Sequence, residues 1–164
     1  MANYGKERLM KLTDALRGEH AVIYQLFDFV RETVAKSDDI QDVRGAASVL
    51  EKLIESHAQI EDDLLFPRLE PFIGEMGPLA VMRSEHSGIR DFLEAARRET
   101  EIGALKSVLG GLLDLAHGHF QKEEMALFAM AEQFLDEAAL TELGDEWAAR
   151  RNVAVDSQGC MGAS

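Results

Sequence analysis

A short pattern with metal-ligand spacing occurs twice in the chain. Both copies read His-x-x-x-Glu, His57 to Glu61 and His119 to Glu123, and Leu-Phe begins four residues after each glutamate. Residues at i and i+4 share one face of an α-helix, so each copy points an imidazole and a carboxylate in the same direction. Both groups are common ligands of transition metals, so the pattern predicts metal binding.

A further histidine precedes each copy at a similar interval. His20 comes before His57, His86 comes before His119, and each of these earlier histidines directly follows a glutamate. The chain therefore contains an internal duplication of a two-helix unit. The first unit runs from His20 to Glu61, and the second unit runs from His86 to Glu123.

Apolar periodicity indicates the elements that position these residues. Stripes of helical period predict four long helices, over 6–36, 40–70, 78–100 and 104–134. Asp136 is expected to cap a fifth, shorter helix that ends near Arg151. Connections are short, with a break at Asp38-Asp39, a loop over 71–78 and a turn at 101–103. The predicted fold is all-α, an antiparallel up-down-up-down four-helix bundle with a short fifth C-terminal helix.

The length of 164 residues is that of one domain. We expect residues 1–151 to form it, with a metal-binding core over about 10–135. Residues 152–164 are small and polar, and we expect them to be a flexible tail.

The bundle predicts that the histidines and glutamates meet. In an antiparallel hairpin, residues equidistant from the turn lie at the same height. The midpoint between the two histidines of each unit falls in a predicted turn, and so does the midpoint between Glu61 and His86. At about 1.5 Å rise per residue, six residues fall within about one or two turns of one level. They are His20, His57, Glu61, His86, His119 and Glu123.

A cation is the simplest partner for this cluster. A lone histidine on an apolar stripe is usually a hydrogen-bonded core residue. Two buried glutamates at the same level, however, are costly without a positive partner. No Lys or Arg occupies the stripes at that height, unless Arg90 reaches in from one turn beyond His86.

Imidazole and carboxylate donors without a thiolate fit iron, manganese or zinc. Six side chains are too many for one metal with an open site, and they suit two metals that share carboxylates. If each glutamate bridges, each metal has about four protein ligands. With an oxide or hydroxide bridge, one octahedral position on each metal stays open for a small molecule. A mononuclear zinc site is the alternative.

The combined pattern resembles the hemerythrin-like (HHE cation-binding) family over about residues 10–135. The resemblance implies a four-helix bundle that holds two non-haem iron ions with an oxo or hydroxo bridge. The residues that match the six are iron ligands in that family, and the two glutamates bridge. Family members bind dioxygen, and various ones are linked to oxygen sensing, nitric oxide handling, iron homeostasis or peroxide decomposition.

The chain departs from the oxygen-carrying members of that family. Those carriers have a His-x-x-x-His pair on the third helix, whereas Met82 and Arg90 stand four residues before and after His86. The carriers also have an Asp at i+5 where this chain has Glu123 at i+4. One histidine is therefore missing, which favours redox chemistry, sensing or nitric oxide binding over reversible oxygen carriage.

The expected function is a di-iron protein that binds or processes dioxygen, nitric oxide or hydrogen peroxide. The alternatives are a catalase-like enzyme and a sensor or iron-homeostasis protein that acts through a partner. A net charge of −13 argues against nucleic acid and anionic membranes as partners. The N-terminus lacks the apolar core of a signal peptide, so we expect a cytoplasmic protein, a monomer or weak dimer. The single cysteine, Cys160, excludes an intramolecular disulfide and a Cys-rich zinc site.

Five acidic residues stand beside the six in sequence. Asp62, Asp63 and Glu124 lie off the apolar stripes, and we interpret them as solvated. Glu19 and Glu85 precede a histidine, and we interpret them as surface residues. The alternative for these two is that each orients a histidine on an adjacent helix through its second nitrogen.

Two further side chains near the cluster have less direct interpretations. His117 lies about 200° around the helix from His119 and is expected to face away. Tyr24, one turn from His20, is interpreted as packing, with a hydrogen bond to a bound oxygen species as the alternative.

Overall fold

The computed structural model describes residues 10–153, and this part of the chain is helical without a β-strand, which confirms the all-α class. Residues 6–9 and most of the predicted tail, 154–164, lie outside the described residues. The α-helices are α1 Leu12–Lys36, α2 Ile40–Ile60, α3 Phe66–Ile73, α4 Pro78–Arg98, α5 Ile102–Lys122, α6 Phe128–Phe134 and α7 Glu137–Arg151.

Two of the four long segments contain a π-helical turn that the sequence did not predict. Glu61–Leu65 joins α2 to α3, and Glu123–Leu127 joins α5 to α6. In each turn, the N–H that follows it bonds to the carbonyl oxygen of the glutamate five residues earlier. Such turns recur at functional sites, and here each one begins at a glutamate of the repeated motif.

The four segments form the predicted bundle. Helix α1 packs against α2, α4 packs against α5, and α2 packs against α4. Because the three connections are short, neighbouring segments run antiparallel, and the up-down-up-down fold is confirmed.

The ends of several helices follow from their sequence. The Asp136 carboxylate accepts the Ala139 N–H at 2.8 Å, so the predicted cap of α7 is present. The Asp39 carboxylate caps α2 in the same way by accepting the Gln41 N–H at 2.8 Å. Pro78 begins α4, where the missing N–H costs no helical bond.

The loop predicted from residue 71 begins later than expected. Pro71 lies inside α3, and the chain leaves the helix at Gly74, whose φ of 75° is a conformation that favours glycine. The final turn closes despite the proline, because the Gly74 N–H bonds to the Glu70 carbonyl at 2.9 Å.

The apolar core consists of two clusters separated by a polar level. One cluster includes Phe27, Leu50, Leu93 and Leu109. The other includes Leu16, Phe66, Leu79 and Phe128. The seven buried polar residues of the described chain are Thr13 and the six predicted from the sequence. On α1, His20 lies between Leu16 of the second cluster and Ile23 of the first, and on α4, His86 lies between Met82 and Ile89 in the same way.

The fifth helix docks closely on the start of the bundle. Helix α7 packs against α1, and its Leu140 and Leu143 are buried in the second cluster. A Cβ at Gly144 would overlap the carbonyl oxygen of Met10, so the absence of a side chain permits this approach. Among residues 10–153, no helix is both long and apolar enough to cross a bilayer.

Candidate metal centre

The six side chains meet in the middle of the bundle, and each is at most 2% exposed. Their donor atoms form two groups, within each of which all atoms lie within 4.8 Å of one another. The first donor group is His20, His57, Glu61 and Glu123, and the second donor group is His86, His119, Glu61 and Glu123. The arrangement fits two ions that share two carboxylates.

Glu61 divides its two oxygens between the groups. Oε1 lies 3.3 Å from His57 Nε2, and Oε2 lies 3.3 Å from His86 Nε2. Donors about 2.1 Å from one ion and at right angles to each other are about 3.0 Å apart. In each pair, the carboxylate oxygen and the imidazole nitrogen are therefore spaced like two neighbouring ligands of one ion.

Glu123 divides its oxygens in the same way. Oε2 lies 3.3 Å from His20 Nε2, and Oε1 lies 3.1 Å from His119 Nε2. In the first donor group, the Nε2 atoms of His20 and His57 are 2.9 Å apart, which is again a distance between neighbouring ligands. Each donor group thus offers two nitrogens and two oxygens.

Six of the eight donor atoms lack a hydrogen-bond partner in the protein. Both oxygens of Glu61 and of Glu123, and Nε2 of His86 and His119, are buried without a hydrogen bond. Arg90 does not reach them, because it bonds Asp62 Oδ2 at 2.6 Å. Buried carboxylates left in this way are costly, and a cation at each group would satisfy them. The residues therefore fit a pair of iron, manganese or zinc ions.

Every histidine of the cluster is oriented by a second carboxylate. Each Nδ1 donates to a carboxylate oxygen, which points Nε2 into the cluster and raises the basicity of the imidazole. The pairs are His20 with Glu124 at 2.8 Å, His57 with Glu19 at 2.7 Å, His86 with Asp62 at 3.0 Å and His119 with Glu85 at 3.0 Å.

These contacts correct the interpretation of the neighbouring acids. Asp62 and Glu124 were expected to be solvated, and Glu19 and Glu85 were expected at the surface, but all four hold a histidine on another helix. Only Asp63 behaves as expected, at the surface beside Arg150. A residue that lies off the apolar stripe of its own helix can still face a neighbouring helix. The sequence signal was the duplication itself, because both units carry an acid before the first histidine and after the glutamate.

The buried charges shift the pKa values of the cluster. Burial alone would raise the pKa of Glu61, but the imidazoles of His57 and His86 hold it well below its usual range. Burial would lower the pKa of His57, but the Glu61 charge and the bond to Glu19 raise it to about 10. The pKa of His86 is raised to about 9 against burial by its hydrogen bond to Asp62 and by the nearby negative charge of Glu61. Without metal, protons on the imidazoles thus balance the carboxylates.

A small cavity lies directly against the cluster. Its volume is about 10 Å³, close to the space that one water-sized molecule needs. Three histidines of the cluster line it, His57, His86 and His119, and apolar side chains that include Ile89 and Leu93 form other parts of its wall.

His117 and Tyr24 lie outside the cluster. The His117 ring packs on Tyr24 at 5.4 Å, and Tyr24 also packs on Phe27 and Phe120, as expected. Burial and the negative charge of the nearby Glu124 carboxylate raise the pKa of Tyr24 to about 12. Tyr24 therefore lies near the carboxylate that holds His20.

Comparison with known proteins agrees with this geometry. The sequence model of the hemerythrin HHE cation binding domain matches residues 11–131. The chain therefore belongs to the hemerythrin HHE cation-binding family, whose metal-binding character suits the buried His/Glu cluster.

Two individual proteins are similar to this chain. The crystal structure of a hemerythrin HHE cation binding domain-containing protein from Mycobacterium kansasii matches with a TM-score of 0.72 and 24% identity, over 87% of this chain and 86% of that one. This likeness supports the fold. A protein named DNA nickase from Nostoc sp. is 26% identical over 140 residues, 85% of this chain. The match spans 37% of the length of that relative.

Proposed function

We propose that this protein is a non-haem di-iron protein that binds or processes dioxygen, nitric oxide or hydrogen peroxide. His20 and His57 would hold one iron, His86 and His119 would hold the other, and Glu61 and Glu123 would bridge them. The observation that carries the proposal is the division of each buried carboxylate between two donor groups.

Iron is preferred to zinc and manganese because of the family. The donor set alone accepts all three metals, and the resemblance to hemerythrin-like proteins implies iron. The oxo or hydroxo bridge is part of the same proposal.

The size of the cavity supports a small ligand. A space of about 10 Å³ has room for about one water-sized molecule, and it borders histidines of both donor groups. Larger organic substrates do not fit without movement of the apolar wall. Ile54, Ile89 and Leu93 form an apolar part of this wall.

Bound iron would supply electrons and an open coordination position. The protein's own contribution is orientation and charge. The Nδ1 bonds to carboxylates hold each ring in place and favour imidazoles with a free Nε2, while the divided carboxylates supply two negative charges that offset the metal ions. With four protein donors for each ion, the site retains room for an exogenous ligand.

The activity of the Nostoc relative is not extended to this chain. Its name, DNA nickase, belongs to a protein of which the match covers 37%, and a net charge of −13 opposes contact with a phosphate backbone. We propose instead that the protein is a cytoplasmic monomer or weak dimer with a small-molecule ligand.

Ligand titration tests the function. The protein is loaded anaerobically with ferrous iron and titrated separately with dioxygen, nitric oxide and hydrogen peroxide while the absorption spectrum is recorded. At least one of the three should produce a saturable change that is absent from Glu61→Ala. Continuous oxygen release from peroxide would identify a catalase-like enzyme, and stoichiometric binding would favour a binder or sensor. Spectra insensitive to all three ligands would refute the proposal.

A further inference from the structure

The two units hold their orienting carboxylates in different ways. In the second unit, Glu85 bonds His119 and is also paired with Lys122, which stands three residues after that histidine. In the first unit, the position three residues after His57 is Ile60, which is 2% exposed and belongs to the second apolar cluster. The first unit therefore lacks the cation that its duplicate carries.

Helix α7 supplies a cation at the corresponding place. Arg151 donates from Nε to Glu19 Oε1 at 2.6 Å and from Nη2 to Oε2 at 3.1 Å. Trp147 donates from Nε1 to Glu19 Oε1 at 2.7 Å. Arg151 also bonds the carbonyl oxygen of Ser56, one residue before His57, at 3.1 Å.

We propose that α7 is a positioning element for one of the two metal ions, the ion held by His20 and His57, and that Trp147 and Arg151 act through Glu19. The inference rests on the two-metal site proposed above. The family match ends at residue 131, so α7 lies beyond the part of the chain that the match describes.

The physical reason lies in the freedom of Glu19. Its side chain is 15% exposed, and both of its oxygens are engaged by α7 while Oε2 also accepts from His57 Nδ1. Without Arg151 and Trp147 the carboxylate would rotate towards water, and His57 would lose the acceptor that fixes its ring. The second donor group does not contact α7 through any of these bonds, so its ion should be unaffected.

Release of iron to a chelator tests the inference. The full-length protein is loaded with two ferrous ions, and the release of each equivalent is followed in excess ferrous chelator. Arg151→Met should accelerate the release of one equivalent about 10-fold. This is the low end of the affinity loss that follows removal of an outer-shell partner, because Arg151 acts through that partner, Glu19. Arg151→Lys should restore part of the wild-type rate, because an ammonium can still reach one oxygen.

The matched control is the neighbouring residue of the same helix. Arg150 pairs with Asp63 at 2.6 Å and touches none of the carboxylates that orient a histidine, so Arg150→Met should leave both rates unchanged. Lys122→Met should accelerate the other equivalent. Single-site backgrounds assign the ions, because Arg151→Met should weaken ferrous binding in His86→Ala and leave it unchanged in His20→Ala.

A second variant avoids direct loss of the Glu19 contacts. Gly144→Ala should push α7 away from Met10 and reproduce the selective effect of Arg151→Met. Equal release rates in wild type and Arg151→Met would overturn the inference, and so would equal acceleration of both ions. If wild-type protein binds fewer than two irons, the two-metal proposal fails as well. If the wild-type protein binds two irons and Arg151→Met has no effect on their release, only the role of α7 is rejected.

Discussion

Metal-free protein should lose stability as the pH rises from about 7.5 to 8.5, whereas metal-loaded protein should not. Burial disfavours charge on His57 and His86, but the Glu61 carboxylate and the orienting acids raise their pKa values to about 10 and about 9. A histidine whose pKa is higher in the folded protein than in the unfolded chain stabilises the folded protein. This stabilisation is complete below the unfolded-chain pKa of 6.5 and is lost as the pH rises through the folded-protein pKa. The loss therefore spans pH 6.5 to about 10.

The size of the effect follows from the number of protons. Between pH 7.5 and 8.5 the folded metal-free protein holds about two more protons than the unfolded chain, on His57 and His86. Each proton changes the free energy of unfolding by about 1.4 kcal/mol per pH unit, so two protons give about 3 kcal/mol. For a chain of this size that is a fall in Tm of about 6–12 °C per pH unit. In the loaded protein, metal replaces these protons.

Thermal unfolding of chelator-treated and iron-loaded protein at pH 7.5, 8.0 and 8.5 measures both slopes. The loaded protein is the internal control, because all surface groups are the same in the two samples. A metal-free Tm that stays constant or rises over this range would refute the reasoning, since it would mean that the buried carboxylates do not hold protons on the histidines.

Two further predictions concern the cavity and the shared carboxylates. Ala58→Val adds two methyl groups to the cavity wall and should slow ligand binding at least tenfold at unchanged iron content. The control is Ala47→Val, which lies on the same helix but lines a different cavity and should not slow binding. Stopped-flow mixing measures both, and equal rates would contradict the use of this cavity by the ligand. Glu61→Ala removes a donor from both groups and should lower iron below one per chain, whereas His86→Ala should leave about one; equal iron contents in the two variants would contradict the shared carboxylate.

The sequence predicted the bundle and the meeting of the six residues because both depend on simple periodicity. A helical stripe fixes which face is buried, and short connections fix the heights of residues in neighbouring segments. His20 and His57 illustrate this, because their midpoint lies in the break at residues 38–39 and their Nε2 atoms are 2.9 Å apart. The convergence required no knowledge of side-chain conformation.

The π-helical turns were not predictable from the same periodicity. One extra residue in a turn shifts the following apolar positions by one residue. The consecutive apolar residues Leu64, Leu65 and Phe66 hide this shift, so the sequence around Glu61 reads as a continuous α-helix. Pro71 was also misleading, because a proline that usually ends a helix is tolerated here inside the last turn of α3.

The orienting carboxylates were missed for a different reason. A helical wheel ranks Asp62 and Glu124 against their own helix and ignores what the neighbouring helix presents at that height. The link from Arg151 to Glu19 joins residues 132 positions apart, and no turn of fixed length relates them. Only the packing of α7, permitted by Gly144, brings the two together.

The most direct test of the di-iron centre is metal analysis of the purified protein, together with absorption spectra recorded in air and after anaerobic reduction. We expect about two irons per chain and near-ultraviolet bands of a bridged di-iron centre that bleach on reduction. One zinc per chain and a featureless spectrum that persist after reconstitution with ferrous iron would contradict it.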